Sequence, residues 1–169
     1  MRDSGYRLIP IYKRVELVIG DTLVSVEDYE QHKDTRWYVA TAGGHAMRTD
    51  KVDGRSQTTA LHRQIMGLVP GDGLVVDHIN GDPLDNRREN LRVCTQAENA
   101  QNVKTTGGSS KYRGVCRDQS RKKWLAYCRM PGETGIRNLG RFASEEQAAA
   151  VARDFRAKHM PFANEERYG

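Results

Sequence analysis

The stretch LVVDHINGDPLDNRRENLRVCTQAEN, residues 74–99, decides the fold. An apolar run at 74–76 predicts a short strand, and a polar loop and a second apolar run, LRVCT at 91–95, follow it. Thr95 and Glu98 have the spacing of a capping box, which predicts that a helix opens there and runs over 95–104. The sequence therefore predicts the order strand, loop, strand, helix.

The polar residues of this stretch suggest hydrolytic chemistry. Asp77 and His78 are adjacent at the end of a strand, so their side chains point to opposite faces and serve different roles. Asn99 lies on the following helix and can approach Asp77, and the two oxygen donors suit Mg²⁺ or Mn²⁺. His78 can act as a general base. Asn90 can hydrogen-bond the backbone or the imidazole and so fix the loop.

The order and spacing of these residues resemble the HNH nuclease family, in particular its phage and intron-encoded homing-endonuclease branch. The matching elements are LHR at 61–63, VDHINGD at 76–82, NRRENLR at 86–92 and TQAEN at 95–99. The resemblance implies a ββα-metal fold in which Asp77 and Asn99 ligate one divalent ion. It also implies that His78 activates water and that Asn90 is the structural asparagine of the active site.

Other polar residues of the region have open roles. We expect His62 to pack or to contact a phosphate rather than to act in catalysis. The nearby arginines either contact phosphates or are surface charges: they are Arg63, Arg87, Arg88 and Arg92. The remaining histidines are expected to stand away from any constellation and receive no role: they are His32, His45 and His159.

The C-terminal third is basic. Residues 104–169 hold 14 lysines and arginines against 7 acidic residues, a balance typical of a module that binds a polyanion. Strands are predicted at 112–118, 122–130 and 136–142, and a capping box at Ser144 and Gln147 predicts the start of a helix over 147–160. We therefore expect a three-stranded antiparallel sheet packed on one helix.

This module resembles the plant ethylene-response-factor (APETALA-type) DNA-binding domain. The matching elements are YRGV at 112–115, Trp124 with Ala126 and Arg129, LG before Phe142, and EEQAA at 145–149. On a strand, Arg113 and Arg117 share one face, which can reach base edges and phosphates. Trp124 either stacks on nucleic acid or packs against the helix. The residues predicted to contact DNA here are Arg113, Arg117, Trp124, Arg129 and Arg137.

The whole chain is predicted to be an α+β protein. It divides into a β-rich extension (1–57), the nuclease domain (58–104), a linker (105–110) and the DNA-binding domain (111–169). In the extension we expect a flexible start over 1–10 and then two hairpins. The first begins with the alternating Val15, Leu17 and Ile19 and turns at Gly20-Asp21, the second turns at Gly43-Gly44, and a helix is expected over 58–68. No apolar run approaches the ~20 residues of a membrane helix, and no signal peptide is evident, so a cytoplasmic location is expected.

The function predicted from these observations is cleavage of double-stranded DNA with Mg²⁺ or Mn²⁺. A single site cuts one strand at a time, so we expect a nick, in a bacterial or phage-infected cell. Three cysteines are too few for a disulfide framework, and no small-molecule substrate is indicated. Two alternatives stay open: an inactive HNH scaffold that serves a DNA-binding regulator, and an RNA-binding or RNA-cleaving protein.

Overall fold

A computed structural model describes residues 5–13, 17–102 and 108–165, with the side chain of Leu17 excepted. The chain forms two compact units, Met1–Cys94 and Thr95–Gly169. Residues 105–107 of the predicted linker and residues 103–104 of the helix predicted over 95–104 lie outside the described part. Among the described residues, no helix has the length and apolar content needed to cross a bilayer.

The first unit is built on β-strands and two short helices. Its strands are β1 (Tyr6–Lys13), β2 (Leu17–Ser25), β3 (Trp37–Val39), β4 (Ala46–Val52), β5 (Arg55–Ala60), β6 (Val75–His78), β7 (Asp85–Asn86) and β8 (Leu91–Cys94). Its helices are α1 (Val26–His32), α2 (Leu61–Ile65) and a 3₁₀ turn at Arg88–Asn90. Six strands form one sheet in the order β5-β4-β3-β1-β2-β7, while β6 and β8 form a separate antiparallel pair.

The N-terminal strands differ from the prediction. β2 continues through Gly20-Asp21, where a turn was predicted, because β1 supplies an antiparallel partner for its whole length. Ile9 and Ile11 of β1 are fully buried, so this segment is held by core packing. Val15, placed in the first predicted hairpin, lies outside the described residues. The second hairpin is confirmed, with β3 and β4 joined through Gly43-Gly44.

The helix predicted over 58–68 is shorter in the structure. Residues 58–60 belong to β5, where Ala60 pairs with Met47 of β4, and only Leu61–Ile65 are α-helical. Pairing with β4 therefore overrides the apolar spacing that favoured a longer helix. The core of the unit joins the six-stranded sheet, α2 and the β6–β8 pair through buried side chains: Ile9, Ile11, Val24, Trp37, Ala46, Leu61, Ile65, Val76 and Leu91.

The second unit has the architecture predicted for the basic module. It contains α3 (Gln96–Asn99), a 3₁₀ turn at Ala100–Asn102, β9 (Val115–Asp118), β10 (Lys123–Cys128), β11 (Arg137–Phe142) and α4 (Glu145–His159). The three strands form an antiparallel sheet in the order β11-β10-β9. Val115 and Ala126 pack against Ala148 and Ala152 of α4, which joins the sheet to the helix. Mixed α+β architecture is thus confirmed.

Both predicted helix starts carry their caps. Thr95 Oγ1 accepts from the backbone N–H of Glu98, whose carboxylate accepts from the Thr95 N–H, a complete capping box. Ser144 Oγ accepts from the Gln147 N–H at 3.1 Å. The four-residue polar pattern therefore located both N-caps, although α4 begins at Glu145, two residues before the predicted start at 147.

Candidate active site

The β6–β8 pair places Asp77 and His78 in different surroundings. Asp77 lies opposite Arg92 in the pairing register, and its Oδ2 accepts from Arg92 Nη2 at 2.6 Å and from Nε at 2.9 Å. His78 lies opposite Leu91, and its side chain is directed toward Asn86. Only 7% of Asp77 and 5% of His78 are exposed. The two neighbours therefore serve opposite faces, as strand alternation requires.

A chain of buried hydrogen bonds determines the protonation pattern of His78. His78 Nε2 lies 3.3 Å from Asn86 Oδ1, Asn86 Nδ2 donates to Thr22 Oγ1 at 2.7 Å, and Thr22 Oγ1 donates to the Leu84 carbonyl at 2.7 Å. Because the carbonyl can only accept, the Thr22 hydroxyl accepts from the amide N–H₂, and the amide oxygen faces the imidazole. Nε2 therefore carries the ring proton, which makes Nδ1 the basic nitrogen.

Two further imidazoles surround His78. The ring centroid of His62, in α2, lies 5.1 Å from that of His78. The ring centroid of His45, the residue that precedes β4, lies 5.3 Å from that of His78. His45 and His62 are 4.7 Å apart. The expectation that His45 stands away from any constellation is wrong, because pairing of β3 with β4 places its ring beside those of His62 and His78. No local motif at residue 45 indicates that contact.

Burial keeps these rings neutral at neutral pH. It lowers the pKa of His62 to about 3, and the positive charge that the His78 and His45 rings would carry disfavours its protonation further. Burial also lowers the pKa of His45 and, against the opposing hydrogen bond to Asn86, the pKa of His78. Each of the three rings therefore carries one unprotonated nitrogen at neutral pH.

Asn90 holds the loop between the two strands. Its Oδ1 accepts from the Asn80 N–H at 2.9 Å, and its Nδ2 donates to the Asp85 carbonyl at 2.8 Å. The sequence left open whether Asn90 bonds the backbone or the imidazole. In the structure it bonds the backbone, and Asn86 contacts the imidazole of His78. Sequence reasoning missed Asn86 because its partner Thr22 is 64 positions away.

Asn99 lies at the end of α3 and is half-buried, with its N–H bonded to the Thr95 carbonyl. It belongs to the second unit, whereas Asp77 belongs to the first. Their convergence on one ion stays a prediction.

Four arginines of the first unit, for which phosphate contact and surface charge were both open, have intramolecular partners. They are Arg63, Arg87, Arg88 and Arg92. Arg63 donates to the Val69 and Leu74 carbonyls and to the Asp72 carboxylate. These bonds hold the segment between α2 and β6 against the Arg63 side chain. The other pairings join Arg87 to Asp85 at 2.7 Å and Arg88 to Asp28 at 2.7 Å. Each guanidinium thus has a demonstrable structural contact, and phosphate binding stays a prediction.

The predicted DNA-contacting residues of the second unit lie in three settings. Arg113 precedes β9 in a turn, since Gly114 adopts φ +76°, so the shared strand face predicted for Arg113 and Arg117 is wrong. Arg113 Nη1 donates to the Gln101 carbonyl at 2.8 Å. The Arg117 guanidinium lies 5.1 Å from the centroid of the Trp124 ring, which packs on the apolar cluster beneath α4.

The other two predicted contacts are exposed. Arg129 follows β10, and Arg137 begins β11 and forms an ion pair with Glu133. Hydrogen bonding to that carboxylate raises the pKa of the guanidinium. These positions carry positive charge on the surface of the second unit.

Comparisons with known proteins support the resemblance of the central segment. Residues 61–101 match a family model described as HNH endonuclease. The chain is also similar to protein 3.8 of Escherichia phage T7, with 36% identity over 59 residues, which are 34% of this chain and 48% of that protein. The match thus spans about half the length of that relative. No solved structure matches. The likeness of residues 112–149 to the ethylene-response-factor domain has no support from these comparisons and stays a prediction.

Proposed function

We propose that this chain is a metal-dependent nuclease of the HNH type that hydrolyses a phosphodiester bond in double-stranded DNA. The segment that matches the HNH family contains Asp77, His78, Asn90 and Asn99. The observation that carries the proposal is the buried His78 imidazole, whose proton is directed to Asn86 and whose other nitrogen is basic.

His78 is suited to take a proton from a water molecule that attacks phosphorus. The Thr22–Asn86 hydrogen bonds favour the tautomer in which Nε2 carries the proton, and in that tautomer Nδ1 is the nitrogen that accepts a proton. A general base of this kind contributes roughly 10²–10⁴-fold to the rate. Asn90 acts by keeping the loop in place through two backbone bonds.

HNH chemistry implies a divalent ion, and we propose that Asp77 and Asn99 hold it. A carboxylate and an amide oxygen are the donors that Mg²⁺ and Mn²⁺ prefer, and Asp77 is nearly buried. When bound, such an ion stabilises negative charge on the phosphate and the leaving oxygen. Arg92, fixed on Asp77 Oδ2 at 2.6 Å, adds a permanent cation beside the carboxylate.

The second unit is proposed to strengthen DNA binding. The excess of lysine and arginine in residues 104–169 matches the charge of a phosphate backbone. Exposed basic side chains lie along the sheet strands and on α4: they include Lys123, Arg129, Arg137, Arg141, Arg153 and Lys158. Such contacts provide affinity, while His78 and the proposed metal ligands Asp77 and Asn99 carry the chemistry.

A plasmid-nicking assay tests the proposal. Wild-type chain should convert supercoiled DNA to open circles with Mg²⁺ or Mn²⁺ and should stop in EDTA. His78→Ala should lower the nicking rate by roughly 10²–10⁴-fold while DNA affinity changes by no more than a few-fold. His159→Ala, at an exposed histidine of α4, is the matched control. Nicking by His78→Ala at the wild-type rate would refute the assignment of the base, and binding without metal-dependent nicking would favour the regulator.

A further inference from the structure

The three-imidazole cluster carries an inference beyond the HNH motif. One ligand nitrogen from each of His45, His62 and His78 lies within 4.8 Å of the other two. His62 and His78 are only 8% and 5% exposed, while His45 is half-buried. Three nitrogen donors thus converge from α2, β6 and the residue before β4, and His45 is the least buried of the three.

Two nitrogens of this cluster lack a hydrogen-bond partner among the described residues. Nδ1 of His45 and Nδ1 of His62 are buried and make no hydrogen bond to any described residue. A buried polar atom without a partner costs about 1–3 kcal/mol, so such atoms call for an explanation. The group includes no carboxylate, and buried neutral imidazoles cannot all satisfy one another by sharing protons. A bound cation would supply a partner for the buried nitrogens of His45 and His62.

We propose that His45, His62 and His78 form a binding site for a transition-metal ion of the zinc class, and that occupancy of this site inhibits the nuclease. The inhibitory part rests on the proposed function. The donors are three neutral imidazoles, the set that zinc accepts with water as a fourth ligand, whereas Mg²⁺ prefers oxygen.

The geometry requires a small adjustment. Zn–N bonds of about 2.0–2.1 Å place tetrahedral nitrogens roughly 3.3 Å apart, so the rings must approach by about 1.5 Å at most. The glycine turn before β4 lies against the His45 ring, since a Cβ at Gly43 (φ +79°) would lie only 2.9 Å from His45 Cδ2. A side chain at Gly43 would therefore displace the His45 ring.

Inhibition follows from the role of His78. A nitrogen lone pair that holds a metal cannot also accept a proton from water, so zinc would remove the general base. Asp77 lies on the other face of β6 and pairs with Arg92, so it is not part of this donor set. Zinc would thus act without displacing an ion held by Asp77.

Direct metal binding by the full chain tests the site independently of activity. After removal of metals, ZnCl₂ is titrated by calorimetry, and CoCl₂ is titrated while the visible bands of tetrahedral Co²⁺ are recorded. Wild type and His159→Ala should each bind one equivalent with tetrahedral bands and should melt at a higher temperature with zinc. His45→Ala should bind zinc at least about tenfold more weakly. His45→Asn repeats the test with a polar side chain, and circular dichroism confirms that each variant is folded.

Nicking in Mg²⁺ with added ZnCl₂ tests inhibition, with each variant compared with its own zinc-free rate. Stoichiometric zinc should stop the wild type, and His45→Ala should need at least about tenfold more. Wild-type zinc affinity in both folded His45 variants would overturn the site. Full nicking by a zinc-saturated wild type would overturn the inhibition alone. Zinc binding by a wild type that never nicks in Mg²⁺ would support the site and refute the proposed function together with the inhibition.

Discussion

Replacement of Thr22 by valine tests whether a residue outside the HNH motif controls the proposed general base. Thr22 and Asn86 are both fully buried, and the Thr22 hydroxyl links the Asn86 amide to the Leu84 carbonyl. Valine keeps the shape and removes the hydroxyl. The Leu84 carbonyl retains a bond from the Leu23 N–H at 2.9 Å, so the Asn86 Nδ2 donor is the group left without its partner.

The expected loss of stability follows from this one donor that loses its acceptor. One buried donor without an acceptor costs about 1–3 kcal/mol of unfolding free energy. The Asn86 amide also loses the contact that directs its oxygen toward His78. A neutral hydrogen bond of about 0.5–1.5 kcal/mol then no longer favours the productive tautomer, which lowers the nicking rate by up to about tenfold.

The matched control is Thr22→Ser, which keeps the hydroxyl and removes one buried methyl group at about 0.8–1.5 kcal/mol. Unfolding free energies come from urea titration, and rates come from single-turnover nicking with saturating Mg²⁺. Both variants should be destabilised, but only Thr22→Val should nick slowly. Equal nicking rates for the two variants would show that the hydroxyl does not orient His78.

Three other substitutions probe separate elements. Asn90→Ala removes two hydrogen bonds to the loop backbone, so urea titration should show a loss of about 2–4 kcal/mol of unfolding free energy. A loss below about 0.5 kcal/mol would contradict the role of Asn90 in holding the loop. Gly114→Ala places a Cβ 2.4 Å from the Tyr127 carbonyl oxygen, at a residue whose φ is +76°. The second unit should therefore lose more than about 2 kcal/mol of unfolding free energy. Unchanged hydrogen-exchange protection of β10 would contradict this expectation. Arg129→Ala should lower the slope of log affinity against log salt by about 0.9, and an unaltered slope would mean that this side chain makes no phosphate contact.

The parts of the fold that sequence predicts well are those with local causes. Capping boxes marked the starts of α3 and α4, and alternation along β6 separated Asp77 from His78. The three strands and helix of the second unit were also predictable. The β1 segment was not, because its role depends on pairing with β2 and β3.

The sequence by itself determined which chemical groups the central segment offers. They are a carboxylate, an imidazole and amides, in an order and spacing that resemble an HNH nuclease. Residue type and the periodicity of strands and helices are enough to predict them. Only the tertiary structure decided what surrounds His78. Thr22 and His45 reach it through strand pairing across long sequence separations, and hydrogen bonding and burial act on atoms that are close in space wherever they lie along the chain.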